Sequence, residues 1–293
     1  MYTITGATGR VGGATAELLL KAGKKVRAVV RHPEKAAHLV ELGAELAVGD
    51  LHDAEFLTAA FTGADAILTM IPGDYGAADF GAHQDDIGNA TITAIKNSGV
   101  KNVVNVSSCG GHTEEMTGVV AGLARQEVRL NALEGVNVLH LRPTYFMENT
   151  MGSIGMIKGM GIAGSAIAGD KPMAVIAFHD IAVVAFEKLT AFTTTGKAVV
   201  PLLGPKHYTM AEFTSILGAA IGKPELPYVQ FPAEDTVSAM MGMGMGESAS
   251  RNMVELMLGI NAGTFDHEVR DANSTTPTTA EEFAKGFAAA FNA

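Results

Sequence analysis

The 293-residue chain sets 21 Lys and Arg against 31 Asp and Glu, a formal net charge of -10, and 47% of it is hydrophobic. This balance supports a sizeable core and argues against disorder, and it offers no basic surface to nucleic acid or to an anionic membrane. A single cysteine, Cys109, precludes an intrachain disulfide; with no apolar run of about 18 residues and no signal-peptide pattern, the expected setting is cytoplasmic.

The chain opens on MYTITGATGRVG, in which residues 2–5 read as a strand running into Gly6, Gly9 and Gly12. That spacing, between a strand and an apolar helix, is what a dinucleotide pyrophosphate requires: a tight turn, a close backbone approach, and close packing of helix on sheet. The helix over residues 12–22 would aim free N–H groups at the phosphates. Its end is marked by Lys21 and Gly23.

Strands are predicted at 25–31, 44–48, 66–71, 101–107 and 137–141. Helices alternate with them at 33–42, 53–61, 79–98 and 119–133. This alternation predicts a Rossmann-type α/β fold, a doubly wound parallel sheet covered on both faces. Residues 1–150 form the dinucleotide-binding domain in this reading. Residues 151–293 form a smaller α+β substrate domain, with some segments free to return to the first.

In the second part, 151–169 is rich in Gly, Met and Ala and gives no clear element. Residues 174–178 and 198–203 are strand-like, with Asp180 placed to cap a helix to 189. Thr209 with Glu212 is a capping box before a helix to 221, and MMGMGMG at 240–246 reads as a loop. Thr278 with Glu281, or Thr279 with Glu282, caps a terminal helix whose Phe283, Phe287 and Phe291 recur at helical spacing and read as core. No internal repeat is present.

Specificity within the dinucleotide class follows from the end of the second strand. An NAD site commonly has Asp or Glu there, whereas this chain has Arg31, whose planar fork suits a 2′-phosphate. NADP(H) is therefore the expected cofactor, with Arg10 and Lys35 as further cations on that side. Asp50 and the adjoining Leu51 follow the third strand, where Asp50 can accept from the adenine amino group or serve as a plain turn residue. Ile71 and Pro72 end the fourth strand, and Ser107 and Ser108 the fifth, at the edge where open α/β sheets bind ligands; these should line the nicotinamide half.

TGATGRVG, VVR at 29–31, the Gly49–Asp50 pair, NVSS at 105–108 and LRPTYFMEN at 141–149 resemble the NmrA-like group of atypical short-chain dehydrogenases/reductases. The resemblance covers most of residues 1–150 and continues loosely through FHDIA and YTMAEF. It implies that Gly6, Thr8, Gly9, Arg10, Val11 and Gly12 form the phosphate loop, that Arg31 meets the 2′-phosphate and Asp50 the adenine, and that Pro143, Thr144 and Tyr145 close over the nicotinamide. Members of the group include quinone, dye, ether and isoflavone reductases, and regulators that bind the cofactor without turnover.

Many relatives carry a tyrosine or lysine acid after the fifth strand. Here the corresponding helix reads Arg125, Gln126, Glu127, Val128 and Arg129, and no tyrosine lies between Tyr75 and Tyr145. Ketone reduction needs such an acid, but a quinone, dye or enone delocalises charge and asks mainly for proximity and a flat apolar pocket. The expected function is direct hydride transfer from NADPH to a conjugated or aromatic small molecule. Tyr145, Phe146, Met147 and Met151, with Met156 and Met160, would form its wall.

His112 is the titratable side chain nearest the expected nicotinamide position and either donates a proton as the candidate catalytic residue or simply sits on an exposed loop, while Cys109 has no visible base and reads as filler. No metal site is predicted. The rival class is a non-catalytic NADP(H)-sensing regulator, separable by an NADPH oxidation assay; sugar-nucleotide isomerisation lacks its Y-x-x-x-K pair. No segment specifies a homo-oligomer, though such chains often form one.

Overall fold

The computed structural model describes residues 1–293. Six strands of the first half run parallel: β1 (Tyr2–Ile4), β2 (Val26–Val30), β3 (Glu45–Val48), β4 (Ala66–Thr69), β5 (Asn102–Val106) and β6 (Asn137–Pro143). Three short strands follow, β7 (Tyr145–Phe146), β8 (Ala163–Ser165) and β9 (Met173–Ile176), before β10 (Lys197–Leu202) returns to the main sheet. The sheet order is β10-β6-β5-β4-β1-β2-β3, with β10 parallel to β6 from Lys197 opposite Val138 to Leu202 opposite Pro143. The order reverses at β1, the switch point at which such sheets open a ligand crevice.

Helices cover both faces, as the near-continuous apolar strands require. On one face lie α1 (Arg10–Lys21) and α2 (Ala37–Glu41), and later α7 (Phe178–Thr190); Leu19, Leu39, Ile181 and Leu189 close a core against β1 and β2. On the other, α3 (Ala54–Phe61), α4 (Phe80–Ser98) and α5 (Ala121–Asn131) bury Leu57, Phe61, Ile95 and Leu130. Asp53 and Asp79 cap α3 and α4 through side-chain bonds to backbone N–H groups.

A second core gathers around α6 (Ile154–Met160), α8 (Met210–Ala220), α9 (Ala233–Gly242), α10 (Glu247–Ala262) and α11 (Ala280–Asn292). Two small sheets accompany them. In one, β9 lies between β7 and β11 (His207–Tyr208); in the other, β8 pairs with β12 (Tyr228–Gln230). Both capping boxes form, Thr209 with Glu212 and Thr279 with Glu282, and Phe287 is fully buried.

Three details differ from the sequence reading. Asp180 lies in the first turn of α7 rather than at its cap, and its carboxylate instead accepts from the Thr278 backbone N–H at 3.0 Å and hydroxyl at 2.6 Å. That long-range pairing had no local signal. The 240–246 stretch is helical to Gly242, because Ala and Met are good helix formers and the buried Val237 anchors the helix. Residues 147–160 form 3₁₀ turns followed by α6.

Helix α10 reaches the main sheet's edge through a close backbone contact. Gly118, at φ 52°, has no Cβ to meet the Asn252 carbonyl oxygen, which lies 1.9 Å from where that atom would stand. A Gly118→Ala substitution therefore combines a left-handed backbone with a steric clash. It should lower unfolding free energy in urea by roughly 2–4 kcal/mol; an unchanged midpoint would show that α10 does not need this approach.

Candidate cofactor and active site

The parallel sheet brings the ends of β1 to β6 to one edge, and the glycine loop lies at its centre. Gly6 has φ 64°, and its backbone carbonyl accepts from Gly9 N–H at 2.8 Å. Gly12 is the tightest position: a Cβ there would lie 2.4 Å from the Gly6 oxygen. Gly9 is the N-cap of α1 and offers no side chain to its first turn, which also lacks an acidic residue. The N–H groups of Arg10, Val11 and Gly12 are thus not capped by a side chain, as an anion-binding helix start requires. The loop fits a dinucleotide pyrophosphate. Thr8 and Arg10 are exposed on it and Val11 is buried beneath it. The Arg10 guanidinium lies 5.4 Å above the Phe178 ring.

Arg31 follows β2 and is exposed, as is Lys35 on the next turn, so both cations face solvent on the side expected for a 2′-phosphate. Asp50 follows β3, with Leu51 half-buried beside it. Hydrogen bonds from the His52 backbone and ring hold the Asp50 carboxyl below its ordinary pKa. Ile71 and Pro72 are half-buried after β4, Ser107 is buried after β5, and Pro143 is buried at the end of β6.

Beside this edge lies an apolar cleft of about 150 Å³, the size of cavity that takes one benzene-sized ring. Tyr75, Tyr145, Phe146 and Phe265 contribute aromatic faces, and Val119, Val120, Met173 and Met253 aliphatic ones. Ser108 and Thr144 join it to the ends of β5 and β6. Tyr145 and Phe146 both line this cleft. Met147 does not: it is fully buried in the second core, with Met151 packed against that core, and neither lines the cleft. The methionines that line it come from β9 and α10, segments whose return to this edge depends on non-local packing.

Arg142, the penultimate residue of β6, lies behind the cleft-lining Cys109, whose thiol donates to the Arg142 carbonyl at 3.2 Å. The Arg142 guanidinium donates to Glu127 through Nε at 2.9 Å and Nη2 at 2.7 Å, and to Glu268 through Nη1 at 2.7 Å. All three side chains are buried or nearly so. Burial opposes the Arg142 charge, but the bonds to the two carboxylates prevail and hold its pKa above the usual value. Sequence reading missed Glu268, Phe265 and Asp266, because residues 263–279 carry no periodic pattern. The structure brings Phe265 and Asp266 to the cleft, with Glu268 close by in sequence but outside its lining.

His112 is exposed and does not line the cleft; it stacks on His267 with ring centroids 4.1 Å apart. Desolvation, with His267 and Arg142 nearby, keeps its pKa below the ordinary imidazole value. Cys109 lines the cleft but is 1% exposed, and burial pushes its thiol pKa up to about 12. Arg125 and Arg129, where an acid pair was sought, instead clamp Asp85 of α4, Arg125 Nε at 2.8 Å.

A parallel sheet with a glycine loop at its switch point and uncapped N–H groups aimed outward defines a dinucleotide-binding α/β protein. The chain belongs to the NmrA-like family, whose model matches residues 2–284. It is 31% identical over 297 residues to an NAD(P)H azoreductase of Xenophilus azovorans, covering 100% of both chains. It is 26% identical over 268 residues to quinone oxidoreductase 2 of Escherichia coli, covering 90% of this chain and 89% of that one. The fold matches Citrobacter sp. triphenylmethane reductase complexed with NADP(H) at a TM-score of 0.84, with 21% identity and coverage of 98% and 100%. No helix is long and apolar enough to cross a membrane.

Glu127→Ala should cost about 3–5 kcal/mol, because it leaves Arg142 buried and half-paired. The triple substitution Glu127→Leu, Arg142→Met and Glu268→Leu, which leaves none of the three charges buried, should cost less than the single one. Denaturant titration of both variants checks this, and a single variant as stable as the parent would contradict the buried pairing.

Proposed function

We propose that this protein is an NADPH-dependent reductase that delivers hydride directly to a flat conjugated acceptor of the quinone, dye or enone class. It is an oxidoreductase of the NmrA-like family, and its relatives matched over most of their length are named as reductases, which does not favour the regulatory reading. The observation that carries the finer reading is the cleft: aromatic and apolar, one ring in size, opening at the ends of β5 and β6, and without a tyrosine–lysine pair.

The bound nicotinamide supplies the hydride. The chain's own part is to orient and to exclude water. The uncapped start of α1 and the cations Arg10, Arg31 and Lys35 hold the phosphates, while Ser108 and Thr144 mark the junction of the cofactor edge and the cleft. Phe265, Tyr145 and Phe146 then offer ring faces to a planar acceptor, and Met173 and Met253 adapt to its outline. Proximity is the main catalytic effect available here. Burial holds the Tyr145 phenol protonated well above its ordinary range, so it contributes a neutral surface rather than a base.

Anaerobic oxidation of NADPH followed with quinones, azo and triphenylmethane dyes, and enones is the test. Turnover is expected with at least one class, and tight NADPH binding without turnover across the panel would overturn the reading. In the same assay Arg31→Asp should raise KM for NADPH about tenfold or more while changing KM for NADH far less; an equal effect on both would make Arg31 surface charge only.

A further inference from the structure

A second cavity, of about 290 Å³, opens on the far side of the segment that borders the cleft. The two spaces share Ala174, Phe265 and Asp266 in their linings and no other residue. Phe265 is the one large apolar side chain of the three. It packs in a small apolar cluster with Ala174, with Cys109 of the cleft lining and with Leu203 of the cavity lining, so the cluster lies between the two spaces. Its ring is gripped at both edges. A Cβ on Gly110 would stand 2.7 Å from Phe265 Cε1, and one on Gly259 would stand 3.2 Å from Cε2, so the ring fills a slot that two bare backbones leave open. The chain that carries it is fastened at three points: Asp266 pairs with Lys171, Glu268 with Arg142, and Arg270 donates to the Leu203 carbonyl at 2.8 Å.

A ring clamped in this way is a fixed wall rather than a flap. On one side it faces a space the size of one benzene-sized ring. On the other, the cavity is apolar beside it, at Ala174 and Leu203, and polar farther out, at Lys171 and His207. We propose that Phe265 is a specificity-determining partition that limits the enclosed part of the acceptor to one ring, and that without it the cleft and the cavity behind it form one channel able to enclose a linear two-ring acceptor. A second ring aimed along that line in the parent overlaps a side chain that cannot yield without breaking its own packing, and overpacking of this kind is costly. The proposal rests on the acceptor reading above and narrows it: within the conjugated class, an added in-line ring gains nothing from this site.

Calorimetric titration of the NADP-bound protein with phenol and para-phenylphenol, neither of which takes up hydride, tests the partition without reference to turnover. In the parent the second ring should add less than about threefold in affinity, since it finds no enclosed space. In Phe265→Ala, para-phenylphenol should bind about tenfold or more tightly than phenol, the scale of burying one further aromatic ring. The preference should rise in the order parent, Phe265→Leu, Phe265→Val, Phe265→Ala as the side chain shrinks, a ranking that stays readable if the smallest variant does not fold. With NADPH, the ratio of kcat/KM for phenylbenzoquinone to that for benzoquinone should follow the same order, through KM. A parent that already prefers para-phenylphenol by about tenfold, or a preference that stays flat across the folded variants while phenol binds the parent, would overturn the partition. A parent that binds neither compound would overturn the acceptor reading itself.

Discussion

Arg142 ties together three parts of the chain that are remote in sequence: the end of β6, Glu127 on α5, and Glu268 on the segment that crosses the cleft. A buried guanidinium loses much of its hydration, and only the bidentate bond to Glu127 with a further bond to Glu268 offsets that loss. The net gain in stability from such a triad is small, since apolar residues of similar size would pack as well. Its effect is geometric. With Glu268 fixed, Phe265 and Asp266 stand at the apolar cleft, and the wall of the cleft is held to the sheet whose edge carries the glycine loop.

The same sheet edge carries both the glycine loop and the mouth of the cleft. All the sheet strands are parallel, so their carboxyl ends open on one side, and the switch at β1 places the glycine loop at the middle of that side. The Gly12 backbone approaches the Gly6 carbonyl so closely that no side chain fits there, which seats α1 with its N–H groups outward. From β1 toward β3 the edge carries Arg31, Lys35 and Asp50, polar and exposed; toward β6 it becomes apolar. Charge and apolar surface are thus divided along one line, in the order in which a dinucleotide runs from base through phosphates to nicotinamide.

Much of the first half was legible in the sequence because its signals are local. The strand–glycine–helix start and the alternation of strands with helices each show within a few residues of their own position. The second half was harder, since its placement depends on contacts between distant segments. Residues 198–203 read as a strand, but nothing in them announced pairing with β6; Met147 was read as part of a methionine wall beside Tyr145 and Phe146, whereas the 3₁₀ turn it opens carries it into the second core. Phe265 and Glu268 lie in a stretch with no period at all, and Arg142 was visible only as a residue of the LRPTYFMEN motif. The helix searched for an acid pair held Glu127, whose partner Arg142 lies on β6.

The central claim is that a planar acceptor lies in the cleft between the ends of β5 and β6 and the 263–279 segment, over the cofactor edge. The 15 methionines make this directly observable. In the NADP-bound protein labelled with ¹³C at the methionine methyls, addition of a redox-inert planar aromatic should shift Met173 and Met253, give nuclear Overhauser contacts from their methyls to the aromatic protons, and leave Met147 in place. Contacts at Met147 or Met151 with silent Met173 and Met253 methyls would place the acceptor elsewhere and contradict the account.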